Sequence, residues 1–359
     1  MSGSKRESEM IVAPAQRDLG ELARQLTAWL QARLGVREVR VRDLSYPRGA
    51  GQSHETILFS AAWDDADGAH DRGLVVRIKP TAFTVFYDDL FEEQFRLMRV
   101  LHESGRVRVA PTLWLEDDPE ILGAPFFVME RLSGRVAVSH PPYTDVGWVA
   151  EASPAERERL FRNSIRELAA ISSIPLDSVG FLAGPGGVTG MEQEWDRWTR
   201  FLDRIDRHGR PAPVHRRVWE RLRDTMPGNR PAGLVWGDAR LGNVMVDDDF
   251  EVVALMDWEQ PSLGGALHDL GWWLVNQRTK IFQRGGRPFE GMPDAETTAA
   301  LWREHTGIPT DGLEWYEAFA GFKTACLAVN MIDLRAGAVD ERGVAQTDQL
   351  RVVRELTGV

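Results

Sequence analysis

Apolar residues at the start of the chain follow the period of a helix and then that of β-strands. Five leucines recur at three- and four-residue steps, which places them on one helix face: Leu19, Leu22, Leu26, Leu30 and Leu34. Gly35 is expected to end this helix. The runs 56–59 and 74–78 favour β-structure, and the turn-forming cluster 64–68 lies between them. We therefore predict an antiparallel hairpin after the helix.

Helical periods dominate the rest of the chain. A helix over 88–103 and a buried strand over 124–130 should complete the first part, and the character changes near 131–139. Ser153 and Glu156 have the spacing of a capping box, which predicts a helix from there through Ile171. Further helices are expected around Trp195 and at 266–277, 295–306, 313–335 and 345–356. A short β-rich island covers 233–257. The order predicts an α+β protein, β-rich first and helix-rich second.

The composition of the chain does not change the predicted fold, but it argues against some partners and locations. The 359 residues carry 43 Lys and Arg against 54 Asp and Glu, a formal charge of −11. An acidic balance argues against nucleic acid as the main partner. Cys326 is the single cysteine, which fits a reducing compartment. No apolar leader or membrane-length run is visible, so we expect a cytoplasmic protein with no membrane partner. The sequence leaves the oligomeric state open.

The β-rich island contains the polar residues with the strongest chemical signal. Apolar runs bracket Asp238, Asn243 and Asp257, so buried strands should bring these side chains to one place. Buried carboxylates need a partner, a metal or a chemical role. Asp238 and Asn243 have the Asp-x-x-x-x-Asn spacing of a kinase catalytic loop, and Asp257 follows one strand later, as a metal-holding aspartate does. The spacing alone is also common by chance in turns.

Other catalytic classes lack their signatures in this sequence. A Gly-x-Ser-x-Gly elbow and a Walker lysine loop are absent. The eight histidines include no pair at i, i+4 with a glutamate, which disfavours zinc protease chemistry.

The island resembles the aminoglycoside phosphotransferase family, a branch of the kinase-like fold. Its catalytic loop usually reads His-Gly-Asp, four residues and Asn, followed later by Asp-Trp or Asp-Phe. This chain has Trp236-Gly237-Asp238 through Asn243, then Asp257-Trp258-Glu259, and 268–272 (His-Asp-Leu-Gly-Trp) matches the family's next helix. The likeness covers about residues 40–335. It is strongest to an actinobacterial branch of phosphotransferases and to the kinase-like domain fused to some acyl-CoA dehydrogenases.

The resemblance implies a two-lobed fold and a role for each matching residue. Residues 1–133 would form a nucleotide-binding lobe with an antiparallel sheet and helices, in which 1–16 are flexible and 17–35 form the leading helix. Residues 134–359 would form a helical lobe with the catalytic loop 236–243 and the metal segment 257–259. Asp238 would be the catalytic base, Asn243 and Asp257 would bind Mg²⁺, and Glu259 would support the metal.

Two further residues near the loop have alternative interpretations. Arg240 would face the transferred phosphate, or it is a surface arginine. Asp269 would accept hydrogen bonds from the loop backbone, or it is a solvated helix charge. Trp236 replaces the family's histidine and would support the loop by packing.

The first lobe would supply the residues that bind the nucleotide. Gly49, Gly51 and Ser53 precede a strand and would approach phosphates, although the local pattern alone favours a plain hairpin turn. Phosphate binding requires a cation on the third strand. Arg77 and Lys79 are two residues apart there, so they share one face of the strand. Arg77 matches the family position better, and its alternative is an edge charge. Gln94 falls where the partner glutamate is expected. The remaining positions form the connector that would hold adenine: Met129, Glu130 and Leu132.

The sequence therefore predicts an ATP- or GTP-dependent, Mg²⁺-requiring enzyme that phosphorylates a hydroxyl of a small molecule. The alternative is a kinase-like module that binds nucleotide or ligand with little turnover. The acceptor stays undetermined. Four acidic residues could recognise the amino groups of an antibiotic, or are surface charges: Glu290, Asp294, Glu296 and Glu304.

Overall fold

The computed structural model describes residues 17–47, 55–81, 85–139, 141–206, 212–336 and 347–359. The chain divides into two compact units. The first contains the residues up to Arg99 together with Ala110–Ser133, and the second contains Val100–Val109 and Gly134–Val359. The predicted segment 1–16 lies outside the described residues.

A five-stranded antiparallel sheet forms the centre of the first unit, with the strand order β1-β2-β3-β5-β4. Its elements are α1 (Leu19–Leu34), β1 (Val39–Ser45), β2 (Glu55–Asp65), β3 (Gly68–Ile78), β4 (Thr112–Glu116), α3 (Pro119–Leu122) and β5 (Phe126–Glu130). The predicted hairpin is confirmed, because β2 and β3 pair from Glu55 with Ile78 down to Asp65 with Gly68.

Helix α1 packs against this core, and its sequence explains both its ends and its buried face. The Asp18 side chain accepts hydrogen bonds from the N–H groups of Gly20 and Glu21, and Gly35 ends the helix at φ 68°. The leucine stripe packs into a cluster with both hairpin strands, and Leu26 and Leu30 are fully buried there. Local capping and one apolar face thus specify the same element.

Helices make up most of the second unit, around a small sheet of order β6-β7-β8. Helix α2 (Phe91–Ser104) is divided between the units, since its residues up to Arg99 belong to the first. The elements of the second unit are β6 (Arg135–Val136), α4 (Trp148–Glu151), α5 (Pro154–Ala170), α6 (Met191–Asp206), α7 (Pro213–Asp224), β7 (Val244–Val246), β8 (Val252–Leu255), α8 (Leu267–Gln283), α9 (Ala295–Thr306), α10 (Leu313–Ala336) and α11 (Asp348–Thr357). The predicted α+β order, with an antiparallel sheet first and helices second, is confirmed.

Most predicted helices are confirmed within a few residues. The capping box is present: Ser153 and Glu156 exchange hydrogen bonds at the start of α5. Helix α8 runs to Gln283, six residues beyond its predicted end at 277. Within the described parts of the chain, no helix is both long and apolar enough to span a membrane.

We expect Leu26→Ala to lower the free energy of unfolding by about 2–5 kcal/mol, because Leu26 is fully buried and its truncation leaves a cavity. Arg24→Ala, on the exposed face of the same helix, should change it by no more than about 0.5 kcal/mol. Urea unfolding followed by circular dichroism measures both. Equal losses in the two variants would contradict the assigned core face.

Candidate active site

The segment leading to Asp238 is held by a buried carboxylate. Asp269, at the start of α8, accepts hydrogen bonds from the backbone N–H groups of Trp236 (2.6 Å) and Gly237 (2.9 Å). Val235 forms only an isolated bridge with Ser262. The expectation that a strand precedes Asp238 is therefore wrong, because a side chain takes the N–H groups that a neighbouring strand would bind. The solvated alternative for Asp269 is also wrong, since this residue is buried.

Two features of this segment depend on particular residue types. Gly237 has φ 97°, and a Cβ there would lie 2.2 Å from the carbonyl oxygen of Gln260, so only glycine fits. Trp236 is fully buried, donates its indole N–H to the carbonyl of Met256 at 2.9 Å and packs against Trp258. The indole thus supports the loop by packing and by a hydrogen bond, as expected for the residue that replaces histidine.

Three donors fix the carboxylate of Asp238. The Trp272 indole N–H donates to Oδ1 at 3.1 Å, while Arg240 Nε and Asn243 Nδ2 donate to Oδ2 at 2.8 and 2.7 Å. Asn243 belongs to a short 3-10 turn, Leu241–Asn243, which brings it back to the aspartate. Oδ1 accepts one donor from these contacts and retains a lone pair for a further proton donor. The geometry suits a carboxylate that must orient a hydroxyl group.

Arg240 joins Asp238 to the second acidic segment. It also donates from Nη1 to the Ser139 hydroxyl at 2.9 Å. Burial acts to lower the pKa of Arg240, but the charge of Asp238, followed by those of Asp257 and Glu259, outweighs burial and raises it. All three carboxylates therefore lie within electrostatic reach of one guanidinium, so Arg240 is no isolated surface arginine.

The residues of the predicted metal segment have the chemistry that Mg²⁺ requires. Asp257 is one of few non-glycine residues at positive φ (62°), a costly conformation that often marks functional sites. Asn243 donates its amide nitrogen to Asp238, so its carboxamide oxygen is the end that can face a metal. Within the described ranges, no three His, Cys, Asp or Glu side chains form a self-contained metal cluster. Mg²⁺ commonly uses one or two carboxylates with waters and phosphates, so the set fits Mg²⁺ bound with a nucleotide.

A buried ion pair that the sequence analysis missed supports the segment after Glu259. Glu194 of α6 pairs with Lys323 of α10, and both are at least 95% buried. Glu194 also accepts a hydrogen bond from the Ser262 hydroxyl at 2.6 Å. Burial acts to raise the pKa of Glu194, but Lys323 and then Arg197 hold it well below its usual value. No spacing rule could have paired residues this far apart.

In the first unit, two residues predicted to lie near the nucleotide phosphates, Arg77 and Gln94, are buried. Arg77 lies on β3 between Thr56 and Phe127 and is buried, whereas Lys79 follows the strand and pairs with Asp89. Gln94 is the fully buried polar residue of α2, and among the described residues neither of its amide atoms has a hydrogen-bond partner. Gln94, which falls where the partner glutamate is expected, therefore forms no hydrogen bond with Arg77 in the described structure.

The connector residues follow β5 as expected. Met129 packs beside Phe91, Phe95 and Phe127, and the Glu130 N–H donates to the carbonyl of Pro111. Leu132 follows the strand end and is half-buried. Gly49, Gly51 and Ser53 lie outside the described residues.

The four acidic residues considered for the acceptor all lie on the surface. Glu290, Glu296 and Glu304 are exposed, and Asp294 caps α9 by accepting a hydrogen bond from the Thr297 N–H. Their interpretation as surface charges is favoured. Trp272 lies in the predicted helix 266–277 and is buried. Its indole N–H nevertheless reaches Asp238, a contact that the apolar pattern alone does not reveal.

Comparison with known proteins identifies the family. A sequence model of the phosphotransferase enzyme family matches residues 47–305. The chain therefore belongs to this family, and the predicted class, a small-molecule phosphotransferase, is confirmed.

The chain is also similar to part of larger curated proteins. Acyl-CoA dehydrogenase family member 10 of Mus musculus is 27% identical over 288 residues, covering 77% of this chain and 25% of that protein. The chain spans 25–35% of the length of the first curated relatives it matches.

Solved structures show the same fold. A candidate aminoglycoside phosphotransferase from Ralstonia eutropha JMP134 is 24% identical with a TM-score of 0.69, covering 93% of this chain and 98% of the other. Aminoglycoside phosphotransferase APH(4)-Ia in ternary complex with ADP and hygromycin B is 17% identical, with a TM-score of 0.54 and coverage of 92% and 98%. The predicted kinase-like fold is confirmed.

We expect Lys323→Met to lower the free energy of unfolding by about 3–5 kcal/mol, because Glu194 would keep a buried charge without its main partner. The double variant Glu194→Gln/Lys323→Met should recover a large part of the loss. Arg162→Met removes one partner of the exposed pair with Glu158 and should cost less than about 1 kcal/mol. Chemical denaturation tests this, and a double variant no more stable than Lys323→Met would contradict it.

Asp269 should give the protein a pH-dependent stability term. Burial raises its pKa to about 6, while the two backbone N–H groups oppose the rise. A raised pKa means that the folded state binds the proton more tightly, so this contribution is complete below the ordinary pKa of 3.8 and is lost as the pH rises through about 6.

The wild type should therefore lose about 3 kcal/mol of unfolding free energy as the pH rises from 4 to 7, and Asp269→Asn should lack this loss. The difference in unfolding free energy between the two proteins should change by that amount in favour of the variant. Comparing variant with wild type removes the opposite contribution of His268, whose pKa burial lowers to about 3. Exposed Asp249→Asn serves as the control and should show a constant difference. Denaturant titrations at several pH values measure it, and parallel curves for Asp269→Asn and wild type would exclude this assignment.

Proposed function

We propose that this phosphotransferase moves the γ-phosphate of ATP or GTP to a hydroxyl of a small molecule, with Asp238 as the base. The observation that carries the proposal is the fixed Asp238 carboxylate. Trp272, Arg240 and Asn243 hold it by hydrogen bonds. Arg240 also lies within electrostatic reach of Asp257. The nucleotide-bound structure of APH(4)-Ia, which shares the fold, supports a nucleotide as donor.

The proposed reaction uses few groups. Asp238 Oδ1 accepts the proton of the acceptor hydroxyl while that oxygen attacks the γ-phosphorus. The bond from the γ-phosphorus to the β–γ bridging oxygen breaks, and the nucleoside diphosphate leaves with the electron pair. Arg240, which is always charged and is bound to Asp238, would balance negative charge on the transferred group. Since Asp238 is already fixed by three donors, little reorganisation is required when the hydroxyl binds.

Asn243 and Asp257 would hold Mg²⁺, with Glu259 in support. The ion would neutralise the phosphate oxygens of the bound nucleotide. The positive φ of Asp257, a conformation that often marks functional sites, and the hydrogen bond that holds Asn243 to Asp238 support these roles.

The nucleotide would bind the first unit through a cation and the connector. Arg77 is the buried cation of β3 and would contact the phosphates, while Gln94 would take the place of the usual glutamate. The backbone of Glu130 and Leu132 would bind adenine, and Met129 would pack beside it. Gly49, Gly51 and Ser53 would cover the phosphates.

One observation favours a second candidate, a binding module with little turnover. Gln94 cannot form the ion pair that orders the phosphate-binding cation in protein kinases. The two candidates separate in one experiment, in which the purified protein is incubated with Mg²⁺ and γ-labelled ATP or GTP. Slow hydrolysis without acceptor supports the enzyme, while a Mg²⁺-nucleotide thermal shift without any turnover supports the module. The absence of both would reject the two candidates together.

We expect Asp238→Asn to lower kcat by about 10²–10⁴-fold while nucleotide binding persists, because only the proton acceptor is lost. Asp257→Ala should instead lose Mg²⁺-dependent nucleotide binding. Exposed Asp249→Asn is the matched control and should keep both properties. NTP turnover and calorimetric nucleotide titration, each with and without Mg²⁺, measure the two effects. Unchanged turnover in Asp238→Asn would refute Asp238 as the base.

A further inference from the structure

One face of α8 leads away from Asp238 and becomes cationic. Trp272, Asn276 and Lys280 follow at four-residue steps, so they lie on the same side of the helix. Trp272 donates to Asp238, and the Asn276 side chain donates to the Trp272 carbonyl. Lys280 is two turns further, no more than about 12 Å along the axis. This face therefore connects the base with a lysine.

Lys280 belongs to a group of three cations around two aromatic rings, which we call the Lys280 cluster: Lys280, Arg284 and Arg157. The Lys280 ammonium lies 5.8 Å from the Tyr143 ring centre. The guanidinium carbons of Arg157 and Arg284 lie 4.3 and 5.2 Å from the ring centre of Phe289. The two rings are themselves 6.5 Å apart, so the three charges share one aromatic surface.

The cluster has more positive than negative charge. Asp145 contacts Arg284 at 3.3 Å. Arg157 is 91% buried, donates from Nη1 to the Ala150 carbonyl and, among the described residues, has no carboxylate within ion-pair distance and no hydrogen-bond partner for Nε. Three cations and one described carboxylate leave an excess of positive charge in this partly buried cluster, and this excess is costly for the buried Arg157.

The positive charge of Arg240, in the proposed catalytic loop, adds to that of the Lys280 cluster. Burial lowers the pKa of Lys280, and repulsion from Arg240 lowers it further, while Asp145 offsets only part of this. Lys280 is thus close enough to Arg240 to sense its charge, and Arg240 binds Asp238. A negatively charged group at this position would relieve the repulsion, and it would lie on the helix face that leads to Asp238.

We propose that the Lys280 cluster binds a carboxylate or phosphate group carried by the acceptor, so that this enzyme phosphorylates hydroxylated anions rather than polycationic acceptors. The proposal rests on the proposed function, because it takes Asp238 as the point where the hydroxyl reacts. It also agrees with the position of the acidic residues Glu290, Asp294, Glu296 and Glu304, which lie on the surface and leave cations near the base.

Matched acceptor pairs test the charge directly. Hydroxy acids are compared with their methyl esters and amino-alcohol analogues, and sugar phosphates with the free sugars, in Mg²⁺-ATP transfer assays. We expect kcat/KM to be at least tenfold higher for the anionic member of a pair. Lys280→Met should raise the KM of anionic acceptors about tenfold or more, while the KM of ATP and the acceptor-free ATP hydrolysis stay unchanged. Lys280→Arg should restore binding.

Two controls separate the charge effect from other causes. Arg221→Met removes one positive charge from an exposed position on α7 and should leave every parameter unchanged. Inorganic phosphate, added to protein saturated with Mg²⁺ and a non-hydrolysable ATP analogue, should raise the melting temperature of wild type and Arg221→Met more than that of Lys280→Met, at constant ionic strength.

Several results would overturn the inference. Equal use of charged and neutral acceptors with an unchanged KM in Lys280→Met would exclude an anion-binding role. A change in the KM of ATP alone would assign the cluster to the nucleotide instead. Phosphate stabilisation that is equal in Lys280→Met and wild type would also contradict it. Failure of the proposed function looks different, because the wild type itself would then neither bind nor hydrolyse Mg²⁺-nucleotide.

Discussion

The candidate catalytic loop, 236–243, depends on the hydrogen bonds that Asp269 accepts from the backbone of Trp236 and Gly237. This carboxylate is buried, where its charge is costly, and the two N–H groups offset part of that cost. The carboxylate fixes the backbone of the loop, which is not paired with a strand at these two N–H groups. Gly237 is required for this backbone conformation because a side chain there would collide with Gln260. The position of Asp238 follows from this anchor and from its own three donors.

A second buried electrostatic network holds the segment that follows the proposed metal-binding residues in the chain. Glu194 and Lys323 join α6 and α10, and the Ser262 hydroxyl ties the chain after Glu259 to the same carboxylate. Since Ser262 also exchanges backbone hydrogen bonds with Val235, the two anchored segments stabilise each other. The candidate site therefore rests on paired charges in the helical unit, which are expensive to break singly.

Local patterns predicted most of the fold but little of the support around the site. The leucine stripe of α1, the β2–β3 turn and the capping box at Ser153 could be read because each depends on residues a few positions apart. The spacing of Asp238 and Asn243 was informative for the same reason. The segment before Asp238 was misjudged, since its apolar residues suggest a strand whether or not the N–H groups pair with one. Lys323 and Glu194 were missed because they meet only in the folded chain. The roles assigned to the site residues stay predictions.

Trp236 has a consequence for how this sequence can change. Its indole joins the catalytic loop to Met256 and packs on Trp258, so one side chain connects the segments that carry Asp238 and Asp257. Restoring the family's histidine would leave unfilled volume beside Trp258 and move the hydrogen-bond donor. We therefore expect Trp236 to be energetically coupled to Met256 and Trp258, so that replacement by histidine is tolerated only with compensating changes in the second segment.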